Sequence, residues 1–299
     1  MTERPTLDDM QQYYRGIYFG DPGLGKSTAI AAAARFGRVV YIDADRGLKA
    51  KALRRHGIPV ENIEPYFDLD FAAMEELQRE LAMRLADGED IFAVAWDTTT
   101  KTAEAFTAEI LPGSVEKTRK LGKEREKYDI YLEDRGTVVN MMQEILRKLH
   151  GLDVHLLLGA HQRRDVDKDD GSVMIRPAMS PSTITGFAGW MDFIVHMRTT
   201  EFANDPTLEE GLEFTGLTRP RGKFMAKDRF GLLPPVMVNP SFDRVLGYLE
   251  EDLDRITDPL QIAARKRREE VAAAKEGKPK DEPVAETDQA DEPEPEDEG

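Results

Sequence analysis

The sequence predicts an α/β fold: a central, mostly parallel sheet flanked by helices, extended by C-terminal antiparallel strands and followed by a disordered acidic tail. Three observations carry this expectation. Short apolar runs alternate with helix-forming segments up to about residue 200, and a strand-rich region follows. The stretch Gly20-Asp21-Pro22-Gly23-Leu24-Gly25-Lys26-Ser27 fits the phosphate-loop pattern G-x-x-x-x-G-K-S/T without a mismatch, between an apolar run and an alanine-rich helix former. From Lys278 onward, proline and carboxylates leave nothing from which to build a core.

At 299 residues the chain has room for one large domain or two small ones. The expected division is an N-terminal arm over 1–14, a core over 15–250, a helical segment over 251–277 and the tail over 278–299. No cysteine is present, which excludes disulfides and thiolate zinc sites and agrees with a reducing compartment. The start is polar and no apolar run approaches the roughly 18 residues of a membrane helix, so a cytoplasmic protein without a membrane partner is expected. The net charge is −16, but ten acidic residues and no basic one fall after residue 280, leaving −6 on the body. Local basic patches remain open to it.

In order along the chain, Ile17-Tyr18-Phe19 reads as a buried strand feeding the phosphate loop, and Ala29 to Arg35 as the helix after it. Such a loop points backbone N–H groups and the positive end of a helix dipole at one anion. Lys26 is placed to reach the β- and γ-phosphates, and the Ser27 hydroxyl to ligate Mg²⁺. The expected nucleotide-binding residues are therefore Gly20, Asp21, Pro22, Gly23, Leu24, Gly25, Lys26, Ser27 and Thr28. A glycine turn capping a helix is the bland alternative, and both matching flanks argue against it.

Val39 to Ile42 is a second strand, ending in Asp43-Ala44-Asp45 with Gly47 allowing a turn. A helix over Leu48 to His56, a strand over Ile63 to Tyr66 and a helix over Phe71 to Leu85 follow. Ile91 to Trp96 is a third buried strand that delivers Asp97 at its carboxyl end, where an open parallel sheet binds ligands. Asp97 fits both a helix cap and the second Mg²⁺-coordinating carboxylate, and its place downstream of a sound phosphate loop favours the metal. The polar stretch from Leu111 to Asp134 mixes cations with glutamates, as solvated helix faces do.

Tyr131, Val138, Met142, Ile145 and Leu149 mark the buried stripe of a further helix. Val154 to Ala160 is a fourth strand with His161-Gln162 at its end, and Asp165 to Val173 reads as a hairpin turning at Asp170-Gly171. Its alternating aspartates do not make a calcium loop, because the sixth position is Asp170 and the twelfth is Arg176. Phe193 to Met197, Leu212 to Leu217 and Phe224-Met225-Ala226 read as late strands, the last followed by Lys227-Asp228-Arg229. Asp258-Pro259 starts a helix expected to run to about Lys275.

Over roughly residues 15 to 245, this order of elements resembles the RecA-type recombinase ATPase core, in particular the short phage single-strand-annealing ATPases. Gly20 to Ser27 matches the Walker A loop, which many families share. Tyr41-Ile42-Asp43-Ala44-Asp45-Arg46-Gly47-Leu48 is similar to the strand end where RecA-like proteins carry a catalytic glutamate, with Asp45 standing at that position. Asp97 corresponds to the Walker B aspartate. Gln162 corresponds to the glutamine that senses the γ-phosphate and signals to a DNA-binding loop. Segments 111–134 and 163–186 sit where the family has its two DNA-facing loops. Lys227 and Arg229 resemble paired basic residues that reach a neighbouring subunit's nucleotide.

The resemblance thus implies catalytic roles for Lys26, Asp45, Asp97, Gln162, Lys227 and Arg229, with Ser27 and Asp97 on the metal. It implies ATP and Mg²⁺ as cofactors, a homo-oligomer or filament, and single-stranded DNA as partner, in the bacterial host cytoplasm if the protein is phage-encoded. A single-strand-binding protein or another replication or recombination protein is a further partner. Arg163, Arg164 and Arg176, with Arg219, Arg221 and Lys223, are the cations available for DNA. The chemistry is coherent independently: charge neutralisation by Lys26 and Mg²⁺, and an attacking water oriented by Asp45 or Asp43. A P-loop kinase of a small molecule, a non-catalytic nucleotide-switched binding module and a helicase loader remain as rivals.

Overall fold

The computed structural model describes residues 13–121, 126, 129–166, 171–201 and 212–250. The helix expected from Asp258, the acidic tail, residues 1–12 of the arm and the turn residues 167–170 lie outside the described residues.

Six strands form the parallel centre of the sheet: β1 (Arg15–Gly20), β2 (Arg38–Asp43), β3 (Ile63–Tyr66), β4 (Ile91–Asp97), β5 (His155–Val166) and β7 (Phe193–Glu201). Their spatial order is β3-β2-β4-β5-β1-β7. Beyond β7, β8 (Leu212–Leu217) and β10 (Val236–Val238) continue the sheet antiparallel. Two short strands attach at its margins, β6 (Val173–Pro177) to β5 and β9 (Lys227–Asp228) to β7, both antiparallel.

Period-two alternation sends each strand's side chains to two separate cores. Ile17, Phe19, Val40, Ile42, Leu156 and Leu158 face one side. There they meet α3 (Phe71–Ala86), α4 (Thr99–Lys120), α5 (Leu132–His150) and α6 (Pro181–Trp190). Tyr18, Val39, Tyr41 and Leu157 face the other. That side is covered by α1 (Lys26–Ala31), the 3₁₀ turn Ala32–Arg35, α2 (Ala50–Arg55) and α7 (Phe242–Leu249). The alanines from Ala29 to Ala34 are all buried, so this layer packs close to the strands. Arg35 and Asp243, 2.8 Å apart and almost wholly buried, tie the 3₁₀ turn to α7. Breaking such a buried pair typically costs about 3–5 kcal/mol.

Several expectations are corrected. Tyr14 belongs to the core and not to an arm: its ring stacks on His155, and its backbone N–H donates to His155 Nδ1 at 3.0 Å. The stretch 111–120, where the resemblance implies a DNA-facing loop, is helical, as the last turns of α4 with Pro112 inside, in keeping with the solvated helix face its charges suggest. Tyr131 is exposed at the N-cap of α5 rather than part of its buried stripe, whereas Val138, Met142, Ile145 and Leu149 are buried as expected. Residues 181–186, expected within the loop over 163–186, belong to α6 (Pro181–Trp190), which Ser180 caps by accepting from the Thr183 N–H at 3.1 Å, with Pro181 in the first turn. Phe224-Met225-Ala226 is not a strand, since Phe224 makes only isolated bridges to Ile175 and Arg221, and the strand that follows is the two residues of β9. Among the described residues no helix is long and apolar enough to cross a membrane.

Candidate functional site

The carboxyl ends of β1, β2, β4 and β5 converge on the phosphate loop, because the parallel strands all run toward the same edge. Gly25 sits at φ 78° just before α1, a left-handed conformation that glycine adopts without strain. This turn lets Lys26 fold back over the loop, where its ammonium donates to the carbonyls of Gly20 at 3.1 Å and Asp21 at 2.8 Å. Burial lowers the Lys26 pKa, against the opposing pull of Asp97, Asp21 and Asp45.

Asp97 ends β4 and is buried. Its Oδ2 accepts a 2.9 Å hydrogen bond from the Tyr41 hydroxyl, while Oδ1 has no hydrogen-bond partner among the described residues. Burial pushes its pKa up to about 6, with the hydroxyls of Ser27 and Tyr41 drawing it back down. A buried carboxylate oxygen left without a donor, next to a serine hydroxyl, suits a divalent cation better than an apolar filling. Ser27 and Asp97 are therefore the residues that would hold Mg²⁺. The neighbouring strand leaves room for this oxygen only because residue 159 is glycine: a methyl there would overlap Asp97 Oδ1.

Asp43 and Asp45, both candidates at the end of β2, separate in role. Asp43 is buried, and its two oxygens accept from the backbone N–H groups of Gly47 at 2.8 Å and Leu48 at 3.0 Å. It holds the loop. Asp45 is exposed, takes one 3.1 Å bond from Gly47 N–H, and its charge is felt by Lys26, Asp97 and His161. Of the two, only Asp45 has a carboxylate available to a ligand.

Midway along β5, where its pairing with β1 ends at His161, adjacent residues point to opposite faces. Gln162 turns to His196, its Oε1 3.1 Å from Nε2. His161 faces the loop: its pKa is lowered by burial and by Lys26, and its Nε2 is buried without a partner among the described residues. The Thr100 hydroxyl accepts from the His161 backbone N–H at 3.1 Å, and the Thr99 hydroxyl donates to Gly159 O at 3.0 Å, so the start of α4 is pinned to this strand end. Sequence reasoning placed His161 at the strand end without a role and passed over Tyr41, Thr99 and Thr100. The alternation about Gln162 was the available signal for His161.

Lys227 and Arg229 are not brought to the loop of their own chain. Lys227 pairs with Ile194 near the start of β7, at the opposite, amino edge of the sheet. Its ammonium donates to Ala188 O at 2.6 Å and Gly189 O at 3.3 Å, at the C-terminal end of α6. Arg229 donates to Gly189 O and pairs with Asp192 at 3.0 Å. Both cations meet the negative end of a helix dipole, which is a local reason for their presence.

A family model described as an AAA domain matches residues 12–230. Comparison with curated proteins gave no match. The matched span takes in the phosphate loop, Asp45, Asp97 and His161 together with all six parallel strands, so the fold and the convergence of its strand ends point the same way as the match. The chain belongs to the AAA domain family, nucleotide-binding proteins of the P-loop ATPase type.

Proposed function

We propose that the protein binds Mg²⁺-ATP at the phosphate loop, hydrolyses it, and acts as a RecA-like homo-oligomer on single-stranded DNA in recombination or annealing. The observation that carries the hydrolytic part is the meeting of four elements at one point: the Lys26 ammonium, the unpartnered Oδ1 of Asp97, the exposed carboxylate of Asp45 and the buried Nε2 of His161. Mg²⁺, when bound, neutralises charge on the phosphate oxygens. Lys26 exchanges its loop carbonyls for phosphate oxygens without leaving the loop. Asp45 is available to orient a water and accept its proton, and His161, neutral near pH 7, donates a ring N–H to the terminal phosphate in the tautomer protonated at Nε2.

The DNA part is supported by the continuity of β5. One strand carries His161 at the site and, within a few residues, Arg163 and Arg164 in the hairpin with β6. Along the other side of β6, Ile175 bonds to Lys223 O at 2.7 Å and to Met225 N–H at 2.9 Å, which adds Lys223 and neighbouring Arg221 to the same basic surface. Arg163 and Arg176 are partly neutralised by Asp165, which leaves Arg164, Arg221 and Lys223 as the exposed charges.

The test is ATP hydrolysis with and without single-stranded DNA, across protein concentrations, beside Lys26→Ala. Hydrolysis lost in Lys26→Ala, stimulated by DNA and rising faster than linearly with protein is the expected result. Turnover indifferent to DNA would remove the DNA assignment, and nucleotide binding without turnover would leave a switch module.

A further inference from the structure

We propose that Lys101, in the first turn of α4, supplies a second cation to the terminal phosphate from within the same chain, leaving Glu104 to do so. This rests on the reading that ATP is hydrolysed at the phosphate loop. It assigns a charge that Lys227 and Arg229, at the opposite edge of the sheet, do not bring to the loop of their own chain. Two further cations near the end of β2 are engaged elsewhere: Arg46 binds Asp68 and lies 5.8 Å from the centre of the Phe67 ring, and Lys49 donates to Arg46 O at 3.0 Å.

Helix α4 begins with a charge of the wrong sign for its own dipole. It starts directly after Asp97, with Thr98 at the N-cap accepting from the Lys101 N–H at 3.3 Å, and its first turn holds Lys101 but no acidic residue. Carboxylates stabilise such a turn, and a cation there is disfavoured by the positive end of the helix. An anion brought to this end reverses the balance, because dipole and ammonium then attract it together. The helix start is also firmly placed. Thr99 and Thr100 bind it to β5 through Gly159 O and the His161 N–H, and the Thr102 hydroxyl accepts from Trp96 Nε1–H at 2.7 Å behind it. Lys101 is left on the open side, where it shares with Ala44 the wall of a cavity of about 210 Å³, and the residue after Ala44 is Asp45. The Lys101 charge acts on His161, and that of Asp45 acts on Lys101, so the ammonium stands within electrostatic range of both groups.

The ammonium pairs with Glu104 Oε2 at 2.7 Å, three residues along the helix. Both side chains are exposed, by 45% and 60%, and ion pairs of this kind hold weakly, so Lys101 can exchange partners on its flexible four-carbon stem without disturbing the fold. Glu104 in turn acts on His161, a negative charge beside the place where the phosphate must come. In the reaction a water oxygen bonds to the terminal phosphorus as the bridging P–O bond breaks, Asp45 takes the water's proton, and ADP leaves with the bridging electron pair. Lys101 transfers no proton; its charge offsets that on the phosphoryl oxygens in transit.

ATP turnover is measured for the full chain, Lys101→Ala, Lys101→Arg and Glu104→Gln, beside calorimetry of ADP and of ADP with aluminium fluoride, which imitates the phosphoryl group in transit, both with Mg²⁺. Removing one donor that stabilises charge in the transition state typically costs about 100-fold or more, so Lys101→Ala is expected to lose roughly 100-fold in kcat, by the same factor at low and high protein concentration. Its ADP affinity should stay unchanged while its affinity for the aluminium fluoride complex falls by a comparable factor, a split that a lysine serving only the helix surface would not produce. Lys101→Arg is expected to recover most of the turnover, and Glu104→Gln to exceed the unaltered protein severalfold. Unchanged turnover in Lys101→Ala, a loss that grows with protein concentration, or an equal weakening of ADP would overturn the proposal while leaving the phosphate-loop reading intact. Turnover unchanged or lowered in Glu104→Gln would overturn the part assigned to Glu104. Absence of hydrolysis by the unaltered protein would overturn the hydrolytic reading itself, and the role of Lys101 with it.

Discussion

The Tyr41 hydroxyl on β2 donates to Asp97 Oδ2 at the end of β4, and the bond orients the carboxylate so that Oδ1 is the oxygen left over. Both groups are buried, 56 residues apart in the chain, and they meet because β2 and β4 are adjacent parallel strands. Tyr41→Phe keeps the ring and removes the donor. Hydrogen bonds to charged groups contribute about 1.5–3 kcal/mol, so a loss of stability of that order is expected by thermal denaturation. Partners that orient a metal-binding carboxylate typically matter about 10- to 100-fold, and a fall of that size is expected in Mg²⁺-dependent hydrolysis. Unchanged hydrolysis would mean that Asp97 needs no such partner.

The raised pKa of Asp97 sets a pH dependence of known sign. A carboxyl group that titrates at about 6 folded, against an ordinary value near 3.8, destabilises the fold once it ionises. Its contribution is lost as pH rises through that interval, by about 3 kcal/mol at most. Asp97→Asn stays neutral throughout. Without nucleotide, the variant is expected to melt above the unaltered protein at pH 8, and the gap should close toward pH 5. A constant gap would show that the ionised form is already compensated in the fold.

Gly159→Ala is expected to impair the site from the strand beside it. The added methyl overlaps Asp97 Oδ1, so the carboxylate must turn and give up the position that Tyr41 fixes. Overpacking of this kind typically costs about 1–3 kcal/mol. Weaker Mg²⁺-nucleotide binding by calorimetry, with magnesium-free nucleotide binding largely kept, is the signature to look for.

His161→Ala is expected to lower turnover on the order of 100-fold with a much smaller effect on nucleotide affinity, if its ring acts on the terminal phosphate during transfer. Gln162→Ala should instead act through its neighbour, since Gln162 Oε1 faces His196 Nε2. Steady-state kinetics of both variants, with binding measured separately, distinguishes the two residues.

Lys227→Ala and Arg229→Ala are expected to lower thermal stability, Lys227 by roughly 0.5–1 kcal/mol, through the end of α6 that they hold. Turnover per folded protein should match that of the unaltered protein at each concentration. A loss of turnover that depends on assembly, measured with mixtures of altered and unaltered subunits, would restore a role across a subunit boundary.

The parallel sheet and the phosphate loop were legible because each rests on a local pattern: apolar runs, a glycine-rich loop, and an aspartate at a strand end. Asp97 was found the same way. Which of Gln162 and His161 faces the phosphate loop was not, because one step along a strand reverses which face a side chain takes, and only the pairing of β5 with β1 decides it. Asp45 was set above Asp43 by the resemblance alone; the physical reason, the N–H groups of Gly47 and Leu48 that claim both oxygens of Asp43, lies in the fold. Where Lys227 and Arg229 lie was not legible, because nothing local says at which edge of the sheet the chain returns. Helix α6 was hidden by its composition, with glycine, threonine and serine between few apolar residues, although Ser180-Pro181 carried a usable start signal.

The sheet order has a mechanical consequence. The phosphate loop and Asp97 stand on β1 and β4, which never touch, since β5 lies between them. Their separation is thus two peptide-to-peptide spacings, roughly 10 Å, fixed by main-chain geometry and indifferent to which aliphatic side chains fill the layers above and below. Replacements such as Leu156→Val or Leu158→Val would soften the body while leaving the spacing of Asp97 from the phosphate loop unaltered. The chain can therefore exchange its aliphatic side chains, Gly159 apart, and still present Asp97 at the same reach from the phosphate loop.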